Sequence, residues 1–168
     1  PIIYDLENCN DIASRPTKLK IGKFCSIGPN VSFFLGCEHR VDWITTYPFN
    51  ALSDRFRYIK GHPYTKGDIV IENDVWFGAN VTVLSGVKIG NGAVIGANSL
   101  ITKDVESYSI MAGNPAAMVR KRFDKETIEF LEKTNWWNLD IEEIERLVPL
   151  LQSNNIKEFK KQTELKFN

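Results

Sequence analysis

Large apolar residues recur at every sixth position through the middle of the chain. The unbroken series is Ile71, Phe77, Val83, Ile89, Ile95 and Ile101. Four residues after each comes a small or β-branched residue, namely Val75, Val81, Val87, Ala93, Ser99 and Val105. A period of six is not a whole number of helical turns, so a helix would not keep these positions on one face. The pattern predicts a triangular coil of short strands with a buried apolar column and with Gly or Asn at its corners.

A weaker stretch with the same spacing comes earlier and is separated from the first by an irregular segment. Its positions are Ile21, Ile27 and Phe33, followed four residues later by Cys25, Val31 and Cys37. An antiparallel sandwich with Gly-Asn turns is the alternative fold, but its strands would recur at irregular spacing. Residues 38–68, the excursion, are rich in aromatics, Pro and charge and contain both histidines. A long insertion in a compact repeat domain is usually functional, so we expect the chemistry there.

After Arg122 the period of six stops and the pattern becomes helical. Asp124 is expected to cap one helix, and Asp140 is expected to cap a second. A third, short helix is expected to begin near Asn154 and to run towards Phe159. The chain is therefore predicted to be mainly β.

The open end of a coil exposes its core and its strand edges, so it needs a cap. We expect Trp136 and Trp137 to form a hydrophobic plug over that end. The predicted domains are a hexapeptide β-helix over residues 1–122, with the excursion as a protruding loop, and a C-terminal helical cap over residues 123–168.

Composition and charge narrow the possible functions. Hydrophobic residues make up 43% of the 168 positions and charged residues 25%, which is typical of a soluble domain. The 21 basic residues balance 21 acidic ones, so no net field favours a nucleic-acid or membrane partner. No apolar run approaches the roughly 18 residues of a membrane span, and the first residues lack the features of a secretory signal. We therefore expect a cytoplasmic protein.

Cysteine and histidine are rare in this chain. Its three cysteines, Cys9, Cys25 and Cys37, have no metal-ligand spacing and are interpreted as small core residues in a reducing compartment. A zinc-dependent carbonic anhydrase, which also occurs on hexapeptide coils, needs three histidine ligands, whereas this chain has two histidines. No metal is expected.

One motif in the excursion carries a specific resemblance. It consists of His39-Arg40, Asp42 and the run Thr45-Thr46-Tyr47-Pro48-Phe49. Matching segments follow at Lys66-Gly67-Asp68, Asn73-Asp74-Val75-Trp76, Thr102-Lys103-Asp104-Val105, Gly113-Asn114-Pro115-Ala116, Arg122-Phe123-Asp124 and Trp136-Trp137-Asn138. Over roughly residues 19–150 the chain resembles the xenobiotic acetyltransferases, the hexapeptide family of the streptogramin and B-type chloramphenicol acetyltransferases. The resemblance implies a left-handed coil, acetyl-CoA as donor, and a homotrimer with active sites between subunits.

The resemblance also implies roles for individual residues. His39 would be the general base for direct attack of an acceptor on the thioester, since an imidazole with a pKa of about 6.5 is mostly neutral at pH 7. The donor would be contacted by Ala79, Ala97, Thr102, Lys103, Asn114, Pro115 and Arg120. Candidate acceptor contacts are Glu38, Trp43, Tyr47 and Trp76. His62 lacks the flanking motif, and we interpret it as a loop residue or a substrate contact.

Two departures from the family bear on the acceptor. Glu38 stands where the family usually has Asn, and the excursion is shorter than in the streptogramin enzymes, which disfavours a large macrocyclic acceptor. The first hypothesis is an acetyl-CoA-dependent O-acetyltransferase acting on a sugar hydroxyl, of a polysaccharide or nucleotide-sugar. The alternatives are an O-acetyltransferase of chloramphenicol or a streptogramin, an amino-sugar N-acetyltransferase, and a non-catalytic β-helix scaffold that binds no donor.

Overall fold

The computed structural model describes residues 1–4 and 17–167, which form two compact units, Pro1–Arg120 and Lys121–Asn168. The first unit contains short strands and the excursion. The strands within the described residues are β1 (Ile2–Tyr4), β2 (Leu19–Ile21), β3 (Ser26–Ile27), β4 (Ser32–Phe34), β5 (Ile69–Ile71), β6 (Trp76–Phe77), β7 (Thr82–Val83), β8 (Lys88–Ile89), β9 (Val94–Ile95), β10 (Leu100–Ile101), β11 (Ser109–Gly113) and β12 (Ala116–Lys121).

These strands form three sheets whose order follows from the repeat. The first is ordered β1-β4-β7-β10, the second β3-β6-β9-β11-β12 and the third β2-β5-β8. Parallel pairing places Ile71 beside Ile89 and Val83 beside Ile101, each three hexapeptides apart. Each hexapeptide therefore supplies one side of a triangular coil, and every third hexapeptide stacks on the same face. The β-helix predicted from the period of six is confirmed.

The apolar column lies inside the coil. All six lead residues from Ile71 to Ile101 are at most 2% exposed, and all six residues that follow four positions later are at most 4% exposed. Phe33 from the weaker stretch is also fully buried and packs edge-to-face on Phe77, with ring centroids 5.8 Å apart. Among the described strands, β2 lies at the edge of its sheet beside β5, and Ile21 is 40% exposed there.

Asparagines turn one corner of successive coils. Asn30, Asn80 and Asn98 have φ values of 57°, 58° and 60°, in the left-handed region that Asn tolerates better than most residues. Their amides form a ladder: Asn30 donates to Asn80 and Asn80 donates to Asn98, each over 3.1 Å. The corner is therefore held by side chains as well as by the strand pairing.

The interpretation of the cysteines is wrong for Cys37, which is disulfide-bonded. Cys9 lies outside the described residues. A disulfide depends on proximity in the fold, which spacing along the sequence does not reveal. Cys25 is a free, half-buried thiol that donates to the carbonyl of Glu72 over 3.1 Å, and burial raises its pKa. Disulfides are more common in oxidising compartments, so this bond does not support the predicted cytoplasmic location. That location stays a prediction.

The second unit consists of helices. Helix α2 (Lys125–Thr134) begins after Asp124, whose carboxylate accepts a hydrogen bond from the backbone N–H of Thr127 over 2.8 Å. Helix α3 (Ile141–Leu151) follows Asp140, which makes no side-chain capping bond. Helix α4 (Ile156–Phe167) is longer than the short helix expected from the sequence. Among the described residues, no helix combines the length and apolar character needed to cross a membrane. The role of Trp136 and Trp137 as a plug stays a prediction.

Candidate active site

The excursion leaves the coil after β4 and returns before β5, and it contains helix α1 (Phe49–Leu52) and a short 3-10 helix (Asp54–Phe56). Its two ends are joined by an antiparallel bridge. The N–H of Glu38 donates to the carbonyl of Tyr64 over 3.1 Å, and the N–H of Tyr64 donates to the carbonyl of Glu38 over 2.7 Å. The loop is therefore closed at its base, and residues 39–63 project from it as one segment.

The side chain of Glu38 is anchored to the coil. The buried hydroxyl of Ser85 donates to Oε1 of Glu38 over 2.5 Å and accepts the backbone N–H of Lys66 over 2.9 Å. Nζ of Lys66 lies 4.0 Å from Oε2 of Glu38. Glu38, predicted as an acceptor contact, thus has partners within the chain, and its carboxylate joins the base of the excursion to the corner after β7.

His39 is exposed, and its Nδ1 lies 2.7 Å from the carbonyl oxygen of Thr46. A carbonyl oxygen can only accept a hydrogen bond, so Nδ1 carries the proton in this contact. The neutral ring then has its lone pair on Nε2. The hydrogen bond thus selects the tautomer that a general base needs and leaves the accepting nitrogen unused by that bond.

A second histidine packs against the first. The rings of His39 and His62 lie edge-to-face, with centroids 4.7 Å apart and an interplanar angle of 81°. His62 is 5% exposed, and neither ring nitrogen has a hydrogen-bond partner within the described residues. Burial lowers the pKa of His62, and the neighbouring charge of protonated His39 lowers that pKa further. Both effects favour the neutral form of His62.

The buried amide of Asn50 holds the segment that carries His62. Its nitrogen donates to the carbonyl of His62 over 2.9 Å and to the carbonyl of Ile59 over 3.1 Å. Asn50 is 3% exposed, so its bond to the His62 carbonyl is buried, whereas its bond to the carbonyl of exposed Ile59 is part-buried. They connect α1 to the returning part of the excursion and determine where the His62 backbone lies.

The motif residues after His39 form a cation-centred cluster. Arg40 makes a two-point ion pair with Asp42, with Nε donating to Oδ1 over 2.7 Å. The hydrogen bond from Arg40 lowers the pKa of Asp42, and the same bond raises the pKa of Arg40. The guanidinium also lies over two rings, 5.5 Å from the centroid of Trp43 and 5.3 Å from that of Tyr64. The side chain of Trp43 therefore packs against Arg40 within the excursion.

The other predicted acceptor contacts are accessible aromatic side chains. Tyr47 is 56% exposed on the excursion, and Trp76 is 52% exposed on β6. Tyr47 also contacts Phe49, with ring centroids 4.8 Å apart. Trp43, by contrast, is half-buried under Arg40. Tyr47 and Trp76 therefore offer exposed ring surface, while Trp43 has a structural partner.

The predicted donor contacts lie at several places on the coil. Ala79 and Ala97 occupy the same corner in successive coils, where the N–H of Asn98 donates to the carbonyl of Ala79 over 2.9 Å. Gly78 allows this stacking, because a Cβ there would lie 2.7 Å from the backbone nitrogen of Ala97. The corner accordingly carries small side chains.

The remaining donor candidates lie farther along the coil. Thr102 and Lys103 follow β10, at the corner that stacks on the one with Ser85. Exposed Asn114 and Pro115 form the turn between β11 and β12, and Arg120 is exposed near the end of β12. The structure thus brings Thr102 and Lys103 near the corner where the excursion is anchored. It places Ala79 and Ala97 at a different corner of the same chain.

Several residues of the site escaped the sequence analysis. Ser85 belongs to the repeat as an ordinary small residue, and Asn50 follows the Thr45–Phe49 run directly but is not part of the motif. The Thr46 carbonyl is a backbone group and leaves no signal in the sequence. The contact between His39 and His62 depends on how the excursion closes. Among the described residues, no group of three or more His, Cys, Asp or Glu side chains is placed to hold a metal ion.

Comparison with known proteins identifies the class. The family described as bacterial transferase hexapeptide (six repeats) matches residues 68–103. AntD, an N-acyltransferase from Bacillus cereus solved with dTDP and 3-hydroxybutyryl-CoA, superposes with a TM-score of 0.52 and 19% identity. That match covers 70% of this chain and 60% of the AntD chain, and it supports the fold alone.

Two curated relatives are much closer in sequence. A probable macrolide acetyltransferase from Lysinibacillus sphaericus is 53% identical over 132 residues, or 76% of this chain and 73% of that protein. A chloramphenicol acetyltransferase from Klebsiella aerogenes is 46% identical over 143 residues, or 83% of this chain and 68% of that protein. The chain belongs to the xenobiotic acetyltransferase family of hexapeptide-repeat acyltransferases, as its motifs predicted. Membership implies that the coil is left-handed.

Proposed function

We propose that this acyltransferase moves an acetyl group from acetyl-CoA to an acceptor hydroxyl, with His39 as general base. The observation that carries the proposal is the 2.7 Å contact between Nδ1 of His39 and the carbonyl oxygen of Thr46. It holds the imidazole with the lone pair on Nε2, and the exposure of His39 lets an acceptor approach.

The reaction needs no covalent intermediate on the protein. Nε2 takes the hydroxyl proton as the acceptor oxygen attacks the thioester carbonyl, which becomes a tetrahedral oxyanion. Collapse of that oxyanion breaks the C–S bond, and the departing CoA thiolate takes the proton from Nε2. Cys25 is a poor candidate for an acyl carrier, because it is half-buried and its pKa is raised by burial.

The coil offers a surface that suits the donor. Ala79 and Ala97 leave a stacked corner without bulky side chains, which favours close approach of a pantetheine arm. Lys103 and Arg120 are exposed cations in a chain with no net charge, and they suit the phosphates of CoA. Thr102, Asn114 and Pro115 complete the proposed donor contacts.

A complete site is proposed to need two chains. The anchored end of the excursion lies at the corner after β7, whereas Ala79 and Ala97 lie at the corner before β7. A homotrimer, which the family resemblance implies, would bring the base of one subunit to the donor corner of another. Sedimentation of the full chain as a trimer is the expected result, and a monomer at assay concentration would contradict it.

We propose an antibiotic hydroxyl as the acceptor. The two relatives are named for macrolide and chloramphenicol acetylation, and Tyr47 and Trp76 give exposed aromatic surface that suits an apolar ring. Aromatic faces also stack on sugar rings, so the sugar acceptor favoured by the sequence remains the second candidate. A panel containing chloramphenicol, a streptogramin, a macrolide and simple sugars distinguishes the two.

The test is release of CoA thiol from acetyl-CoA with that panel. The proteins compared are the wild type, His39→Ala, His39→Gln and, as a control on the excursion, Tyr58→Ala, whose side chain is 75% exposed. Both His39 variants are expected to lose roughly 10²- to 10⁴-fold in kcat while still binding acetyl-CoA. Equal rates in wild type and His39→Ala would show that His39 is not the base. No turnover and no donor binding would favour the scaffold.

A further inference from the structure

His62 is buried in a way that calls for a functional explanation. Its ring is 5% exposed, and neither nitrogen has a hydrogen-bond partner within the described residues. Polar groups in folded proteins are rarely buried without a partner, because the lost hydration is not replaced. What the ring does contact is the imidazole of His39, edge-to-face at a centroid distance of 4.7 Å.

The hydrogen bond to Thr46 does not by itself stop the imidazole ring of His39 from tilting, and contact with His62 can. The Thr46 carbonyl holds the imidazole at Nδ1, 2.7 Å away, but a single hydrogen bond lets the ring tilt about that contact. The His62 ring meets the imidazole edge-to-face at a centroid distance of 4.7 Å, within the range that aromatic pairs prefer. A hydrogen bond and a ring contact together determine the direction of Nε2.

We propose that His62 is a positioning residue for the base, and that its buried ring orients His39 so that Nε2 faces the acceptor hydroxyl. This inference rests on the proposed function of His39. His62 does not act as an acid or base itself, since both of its nitrogens are enclosed by protein. Its backbone is placed by the 2.9 Å bond from Asn50, so the ring is set on a buried, hydrogen-bonded support.

The uncharged state of His62 fits this role. When His39 takes the acceptor proton it becomes a cation, and a second charge at 4.7 Å would oppose that step. Burial and the charge of His39 both lower the pKa of His62 and so keep it neutral. The neighbour therefore supplies a rigid ring without adding repulsion at the moment of proton transfer.

The experiment compares three substitutions at His62. His62→Phe retains a flat ring, His62→Leu fills the site without one, and His62→Ala removes most of the side chain. We expect kcat to fall about 10- to 100-fold in the Leu and Ala variants, since small misplacements of a reacting group have effects of that size. The Phe variant is expected to stay within about threefold of the wild type, because it restores the orientation. The KM for acetyl-CoA is expected to be unchanged throughout.

Controls separate positioning from folding and from the proposed function. Tyr58→Ala and the melting temperature of each variant are measured in parallel. Three results would each overturn the inference. They are an equal kcat in the Phe and Leu variants, a kcat in the Phe variant as low as in the Ala variant, and a KM for acetyl-CoA that rises as the melting temperature falls. Loss of activity in His39→Ala with full activity in His62→Ala refutes only the role of His62. Full activity in His39→Ala refutes the proposed function itself.

Discussion

Replacing Asn50 with Asp tests whether the buried amide holds the excursion together. Asn50 is 3% exposed, and its nitrogen donates to the carbonyls of Ile59 and His62 over 3.1 and 2.9 Å. Aspartate has nearly the same shape, but an ionised carboxylate cannot donate a hydrogen bond. Asn50→Asp therefore places a buried negative charge against two carbonyl oxygens, whereas Asn50→Ala only removes the two donors.

The expected cost follows from the number of bonds lost. A buried carbonyl left without its donor costs about 1–3 kcal/mol, so Asn50→Ala is expected to lose about 1–3 kcal/mol at the buried His62 bond and less at the part-buried Ile59 bond, where water can replace the donor. Asn50→Asp is expected to lose more, because repulsion and charge burial add to the same loss. Burial raises the folded-state pKa of the introduced carboxyl. Its penalty is therefore full above that pKa and diminishes as the pH falls through it, because the protonated carboxyl can donate.

Amide hydrogen exchange localises the effect. The N–H groups of Leu52 and Ser53, which bond to carbonyls of Pro48 and Phe49, are expected to exchange more than tenfold faster in both variants, since about 1.4 kcal/mol corresponds to tenfold. The N–H of Gly78, bonded to Ile95 in the coil, serves as an internal reference.

An exposed substitution of the same kind, Asn154→Asp, serves as the matched control variant. The kcat of both Asn50 variants is expected to fall with the loss of loop protection, because Asn50 supports the His62 segment. Wild-type stability and exchange in Asn50→Asp at pH 7 would refute the reasoning.

Three further predictions concern stability. Phe77→Ala is expected to lower the free energy of unfolding by about 3–5 kcal/mol, because Phe77 is fully buried in the coil. Gly92→Ala is expected to lower the melting temperature, since Gly92 has φ of 65° and an added Cβ would collide with the ring of Tyr108. Asp124→Ala is expected to lower helical circular dichroism. The Thr127 N–H lowers the pKa of Asp124, so the wild-type advantage is present above the ordinary carboxyl pKa and is lost as pH falls through the lowered pKa.

The first two of these predictions have a control variant, and the third has an outcome that would contradict it. Trp76→Ala, at a neighbouring position that is 52% exposed, is expected to change stability much less than Phe77→Ala. Gly67→Ala also introduces a side chain at positive φ, 114°, but meets nothing within 4 Å, so a larger effect at Gly92 isolates the collision. A helical signal in Asp124→Ala that equals the wild type at pH 7 would contradict the capping argument.

The coil was predictable because each hexapeptide must bury one large apolar side chain. Every sixth residue points inward, so Phe77 and Ile95 are both fully buried and lie side by side in register. The corners were predictable for the same reason, since Asn80 and Asn98 both have a positive φ. The disulfide at Cys37 was not predictable, because spacing along the sequence does not reveal which cysteines meet in the fold.

The excursion shows where sequence reasoning stops. Its motif singled out His39, because a histidine in that run is typical of the family. The partners that orient the histidine are a backbone carbonyl at Thr46 and a second ring at His62, and neither follows from residue type. The contact of Glu38 with the acceptor stays a prediction, and the hydrogen bond that its carboxylate accepts from buried Ser85 has no signal in the sequence. Long-range contacts in a loop without periodicity require the structure.

Under the proposed function, the coil would bind the donor and the excursion would bind the acceptor. The coil can vary little, because a Cβ at Gly78 would meet the backbone of Ala97 and each coil supports the next. It therefore suits a donor that is the same in every reaction. The excursion is anchored at Glu38 and braced by Asn50, while Tyr47 between them remains exposed. Acceptor specificity should therefore respond to substitutions at Tyr47, and the KM for acetyl-CoA should not.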